Sequence, residues 1–183
     1  GIDDSIHQFH CDVLNMSFGI QEPAIYAEDK KLMEEKIAQA AQAGMLLVAA
    51  AGNNIGNTVA YPAGIENVVG VSNINQNLEL ASSSAYGEAV FVCAPGEDIF
   101  GPSISGPNIY TKNRGTSFSA PQVSALAAMA KQIQPDITME GFQNLLIETS
   151  LDLGEKGRDD FFGNGLIQMD RALKKLLGGS LYC

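Results

Sequence analysis

The chain has 183 residues, with 11 Lys+Arg, 21 Asp+Glu, 2 His and a net charge of −10. That length suits one domain, since a chain of this size buries roughly 70% of its unfolded surface. With 45% apolar and only 17% charged residues it is globular rather than disordered, and its acidic balance excludes the basic face that nucleic acid or an anionic membrane surface selects, while suiting a basic substrate or partner.

Short apolar runs alternate with helical patterns, which predicts an α/β fold with a mostly parallel sheet. Asp12 to Ser17 reads as a short strand ending at Phe18-Gly19. A helix follows from about Ala27 to Ala43, with Leu32, Met33, Ile37, Ala40 and Ala41 as its buried stripe and Gly44 as its stop. Met45 to Ala51 is apolar on both faces, as a central parallel strand requires, and ends at Gly52-Asn53-Asn54. Val68 to Ser72 and Ala89 to Cys93 are two more strands. Ile109 to Thr111, with the residues before it, reads as a surface hairpin. A helix from Thr116 to about Gln132 is apolar almost all round and is expected to be buried; Pro135 stops it. Phe142 to Glu148 and Gln168 to Leu177 complete the helices.

Three cysteines, Cys11, Cys93 and Cys183, do not make a disulfide framework, are too far apart for a CxxC metal site, and lean toward a reducing compartment. His7, His10 and Cys11 lie close together but lack a fourth ligand, so they read as ordinary helix and loop residues and no metal site is assigned. No apolar run reaches a membrane span, and Gly1 to Asp4 is not a signal peptide.

Two segments carry chemistry. Gly115 to Pro121 puts Ser117 in the first turn of a buried helix, beside free backbone N–H groups and the positive end of the helix dipole. Ala49 to Asn53 puts an amide side chain at the carboxyl end of a central strand, where open α/β sheets bind ligands. Alone, Ser117 is an ordinary helix-start residue and Asn53 an ordinary turn residue. Together they make a nucleophile with an oxyanion hole for acyl transfer. Gly52 to Asn57 lacks the GxGxxG spacing of a dinucleotide site.

These segments resemble the carboxyl-terminal part of a subtilisin-like serine protease (subtilase, peptidase S8). Asp12 to Gly19 is similar to the family's substrate-binding strand, Ala49 to Asn53 to its oxyanion motif and Gly115 to Pro121 to its serine motif. Tyr61-Pro62-Ala63, Ala94-Pro95-Gly96 and Gly163 to Ile167 match in order. The resemblance implies part of a three-layer fold, with helices flanking the sheet. It implies Ser117 as nucleophile, and Asn53 with the Ser117 N–H as oxyanion donors. It also implies Ser17, Phe18 and Gly19 as a strand pairing with substrate. Ala50, Ala51, Gly52 and Ala60 would line the pocket for a medium or large uncharged side chain. The same resemblance implies a cis Tyr61-Pro62 bond. It makes calcium a family ion whose main site draws on residues outside this stretch; a weaker site would use carbonyls near Ala63, Ile65 and Val68 beside Glu66.

The family's Asp-Ser/Thr-Gly turn and Gly-Thr-His helix start precede the substrate-binding strand, and eleven residues precede Asp12 here. Asp3, Asp4, His7 and His10 lack those contexts, so none is expected to be a triad member. Gln122 stands where the family often has His, Ala125 where it usually has Gly, and Phe18 where it has an aliphatic residue that is less bulky. Two readings follow. In one, residues 1–183 are the carboxyl-terminal portion of a single catalytic domain, inactive alone, with an Asp/His-bearing segment supplied in cis or in trans. In the other, the chain is a pseudoprotease that binds peptides or partners. Either way the missing half would leave an exposed sheet edge near Asp12 to Ser17, ready for a partner chain or self-association.

Overall fold

The computed structural model of the chain describes residues 1–21, 24–53 and 58–179. Asn54 to Asn57 of the strand-ending turn, and Cys183, lie outside them. The elements in chain order are α1 (Ile2–His7), β1 (Val13–Met16), α2 (Ala27–Gln42), β2 (Leu46–Ala50), β3 (Val69–Ile74), β4 (Val90–Pro95), β5 (Ile99–Pro102), β6 (Tyr110–Asn113), α3 (Thr116–Ile133), α4 (Met139–Thr149) and α5 (Met169–Leu176).

Strands β1-β2-β3-β4 form one parallel sheet in that order, and β5-β6 a separate antiparallel ribbon. Every residue of β2 is buried, which explains its unbroken apolar run. Side-chain alternation splits that run between two cores. Leu46, Val48 and Ala50 join α3 and α4 residues such as Val123, Leu126, Phe142 and Leu146 on one face. Leu47 and Ala49 join Ile37 and Ala40 of α2 on the other, with Ile2 and Ile6 of α1 alongside. The result is the expected three-layer arrangement of helices on both faces of a mostly parallel sheet.

The two sheet edges differ. Beyond β4 the chain returns, and Cys93 exchanges backbone bonds with the Gly165 carbonyl (3.0 Å) and the Ile167 N–H (3.1 Å). Beyond β1 no strand follows among the described residues.

Three expectations are corrected. Leu32 of the α2 stripe is 52% exposed, because the helix meets the sheet along a narrower line through Ile37 and Ala40. Helix α3 is not buried all round: Pro121, Ala125, Ala128 and Met129 form an exposed stripe, while Val123, Leu126, Ala127 and Ala130 face the core. Ala125 lies on that exposed stripe. Helix α4 starts three residues before the expected Phe142, because the Thr138 side chain caps it by accepting the Gly141 N–H at 3.0 Å.

Candidate active site

The site lies at the carboxyl end of β2, where the chain leaves the sheet through Gly52-Asn53 and meets the first turn of α3. Gly115 precedes that helix with φ +123 and, as a glycine, offers no side chain of its own to cap it. A Cβ at Gly115 would stand 3.0 Å from Asn53 Oδ1 and 3.2 Å from Nδ2, so only glycine lets the turn approach the amide this closely. Three bonds anchor the turn to the end of β4. The Gly115 N–H donates to the Gly96 carbonyl (2.8 Å), Ser119 Oγ to the Ala94 carbonyl (3.0 Å) and Gln122 Nε2 to the Pro95 carbonyl (2.6 Å). Gln122 is thus a tether at the end of β4.

Asn53 is held on its acceptor side. Its Oδ1 accepts the Thr116 N–H (2.9 Å) and the Thr116 hydroxyl (3.2 Å), and Thr116 Oγ1 in turn accepts the Gly52 N–H (3.1 Å). The amide is thereby oriented, and Nδ2 has no acceptor among the described residues. The Ser117 N–H has no acceptor among the described residues. Ser117 Oγ donates to the Ser17 carbonyl at 3.0 Å, and Ser17 Oγ donates to the Ser117 carbonyl at 3.0 Å. Two antiparallel bonds therefore clamp the end of β1 to the serine turn.

One cleft collects Phe18, Gly19, Gln21, Ala50, Gly52, Asn53, Ala60, Thr116 and Ser117 along its walls. Ser117 and Asn53 converge there, as their placement on these elements implied. Ala51 does not join them: it is fully buried against Ala85 and Val90 on the opposite side, because neighbouring residues of an extended segment point to opposite faces. Ser17 meets the site through its carbonyl and hydroxyl. Phe18 is 59% exposed on the cleft wall. Gly19 runs against Ala60, whose Cβ would be 2.8 Å from a side chain there, and Ile20 and Tyr61 exchange backbone bonds of 2.9 Å just beyond. The Tyr61-Pro62 bond is cis. The sequence alone does not mark Gln21 or Thr116 as a site residue. Thr116 was legible in principle, as a hydroxyl beside the serine; Gln21 was not, because only the Ile20–Tyr61 pairing brings it to the cleft.

His7 and His10 lie on and just after α1, in the helical layer that packs with α2 and away from α3. Neither lines the cleft. Cys93 is buried in β4, and burial, with Asp159 adding to it, pushes its thiol up to about 12. It is a core residue, not a nucleophile. Among the described residues no group of three or more His, Cys, Asp or Glu side chains comes together to hold a metal. Near the anticipated carbonyl site, the Ile65 carbonyl already accepts the Val68 N–H at 3.2 Å. Glu66 is the one acid in that stretch.

A model of the Subtilase family matches residues 1–165. The minor extracellular protease Epr of Bacillus subtilis is 38% identical over 169 residues, covering 92% of this chain and 25% of that protein. Subtilisin DY of Bacillus licheniformis is 32% identical over 165 residues, covering 88% of this chain and 56% of the relative. The prenylagaramide maturation protease PagA superposes with a TM-score of 0.81 at 26% identity, over 98% of this chain and 66% of its own. A lanthipeptide protease shares the fold, with a TM-score of 0.82 at 23% identity, over 96% of this chain and 64% of its own. The chain thus spans between a quarter and just over half the length of these two curated relatives.

Proposed function

This chain belongs to the subtilase family, and on that premise we propose that it is the nucleophile-bearing part of a serine endopeptidase, completed by an Asp/His-bearing segment in cis or in trans. The observation that carries this is the oriented Asn53 amide beside Ser117: its Oδ1 is consumed by Thr116, so its N–H groups and that of Ser117 are left for a developing oxyanion.

A substrate strand lies along Ser17, Phe18 and Gly19, and the side chain before the scissile bond enters between Ala50, Gly52 and Ala60. These walls suit a medium or large uncharged side chain. Ser117 Oγ leaves the Ser17 carbonyl, gives its proton to the base and attacks the substrate carbonyl. The oxygen of that carbonyl becomes an alkoxide held by Asn53 Nδ2 and the Ser117 N–H. The alkoxide collapses, the amine leaves with the proton from the base, and Ser117 is left acylated. Water, activated by the same base, then releases the acyl group. A serine hydroxyl is a poor nucleophile without a base. Since the cleft carries no histidine among its lining residues, the base is assigned to the second segment. The uncovered edge of β1 and the exposed stripe of α3 are where that segment docks.

The test compares peptide hydrolysis by the native assembly purified from cells with hydrolysis by residues 1–183 alone. Turnover by the assembly that is lost in Ser117→Ala, with none by the chain alone, is expected. Ser117-dependent turnover by the isolated chain would remove the need for a second segment. An inert assembly that still binds peptides would make the chain a pseudoprotease.

A further inference from the structure

The clamp between Ser17 and Ser117 extends outward. Asn15, one residue before the end of edge strand β1, donates through Nδ2 to Ser17 Oγ at 2.9 Å. Its Oδ1 accepts the Ser124 hydroxyl, also at 2.9 Å, and that hydroxyl has the Ala120 carbonyl as a second acceptor at 3.1 Å. These bonds share one polarity. A hydroxyl has a single proton. Ser17 gives its proton to the Ser117 carbonyl, so Ser17 Oγ can face only a donor on its other side. That fixes Nδ2 of Asn15 toward Ser17 and Oδ1 toward Ser124. Protons therefore run Ser124 to Asn15 to Ser17 to the Ser117 carbonyl, an alignment in which each bond strengthens the next.

The end of this run has a reason in the helix itself. Residue 121 is proline, which has no N–H to give the carbonyl four residues back. That carbonyl is Ser117's. Deprived of its helical partner, it is satisfied by Ser17 Oγ instead. The bond lies in the turn that carries the nucleophile, and the Ser17 carbonyl receives the nucleophile's own hydroxyl.

We propose that Asn15 is a positioning residue: by donating to Ser17 it fixes the distance between the substrate-binding strand and the serine turn. Its effect on turnover rests on the protease reading above. Asn15→Asp keeps the shape and the Ser124 bond but removes the donor. The carboxylate then takes the Ser17 proton, and the Ser117 carbonyl is left bare.

In the active assembly, Asn15→Asp is expected to lower kcat roughly 10- to 100-fold, with a much smaller change in KM. Ser17→Ala should lower it similarly, and the double variant no further than Ser17→Ala alone. Wild-type kcat in Asn15→Asp, or losses that simply multiply, would overturn the proposal. A second measurement needs no turnover. In the full 183-residue chain, the 13C resonance of the Ser117 carbonyl should move alike in Asn15→Asp and Ser17→Ala, and an unmoved resonance in Asn15→Asp overturns the proposal. An inert wild-type assembly sinks the protease reading, and the carbonyl resonance then decides this one. If Asn15→Asp does not fold, Asn15→Ala, which also removes the Nδ2 donor, carries the same readout with the same two outcomes.

Discussion

The amide of Asn53 is the clearest case of a single residue made specific by its neighbours. An asparagine after a strand is ordinary, and the proposed oxyanion-donor role depends on Thr116 occupying its acceptor side. Asn53→Ala in the active assembly should slow turnover roughly 10²–10³-fold, the cost known for the matching donor in a subtilisin, with KM nearly unchanged. Thr116→Val removes one of the two bonds to Oδ1 and leaves the Gly52 N–H without its acceptor. A net bond of about 1.4 kcal/mol corresponds to about tenfold in rate, measurable as kcat/KM on one peptide. Gly115→Ala meets Asn53 at 3.0 Å at a φ of +123, and should cost about 1–3 kcal/mol in denaturant unfolding while displacing the same amide. For the cysteines, burial predicts that Cys93 resists thiol reagents in the folded chain while half-buried Cys11 reacts first. Equal labelling rates for the two would contradict that assignment.

Among the elements, β1 and α3 carry the exposed face to which the proposal assigns a second segment. Strand β1 pairs with β2 on one side and has no strand beyond it on the other among the described residues, and α3 presents Pro121, Ala125, Ala128 and Met129 beside it. An open strand edge next to an apolar stripe invites pairing. The isolated chain is therefore expected to self-associate or capture its second segment through this face. Met129→Lys should weaken that association by about 1 kcal/mol or more without lowering the melting temperature, because Met129 is already 41% exposed. Light scattering that finds a monodisperse monomer for the parent chain would contradict this. The element boundaries explain what was hard to read. Alternation and apolar runs marked every strand of the main sheet, but periodicity alone does not say how much of an apolar helix is covered. Leu32 and Met129 look like core residues in sequence and are not.

At the scale of the whole molecule, two cores lie back to back across one sheet, and β2 feeds both. Phe142 is the largest fully buried side chain and belongs to the α3–α4 side. Phe142→Ala should cost about 3–5 kcal/mol of unfolding free energy, read as a lower midpoint with little change in the denaturant slope. The loss would reach the site only through the first turn of α3, which the β4 tethers from Gly115, Ser119 and Gln122 hold in place.

By itself the sequence determined the α/β class, the chain order of the elements and the placement of Ser117 at a helix start and Asn53 at a strand end. Each of these depends on local pattern: a five-residue apolar strand, a glycine before a helix, a serine at its first turn. The tertiary structure alone decided what each of those residues faces. Ala51 leaves the cleft and Gln21 enters it because strand alternation and the Ile20–Tyr61 pairing set directions that composition does not encode. The hydrogen-bonded run from Ser124 through Asn15 to Ser17 and Ser117 joins residues up to 109 positions apart. Such contacts depend on how β1 and α3 pack, and no window of sequence contains both.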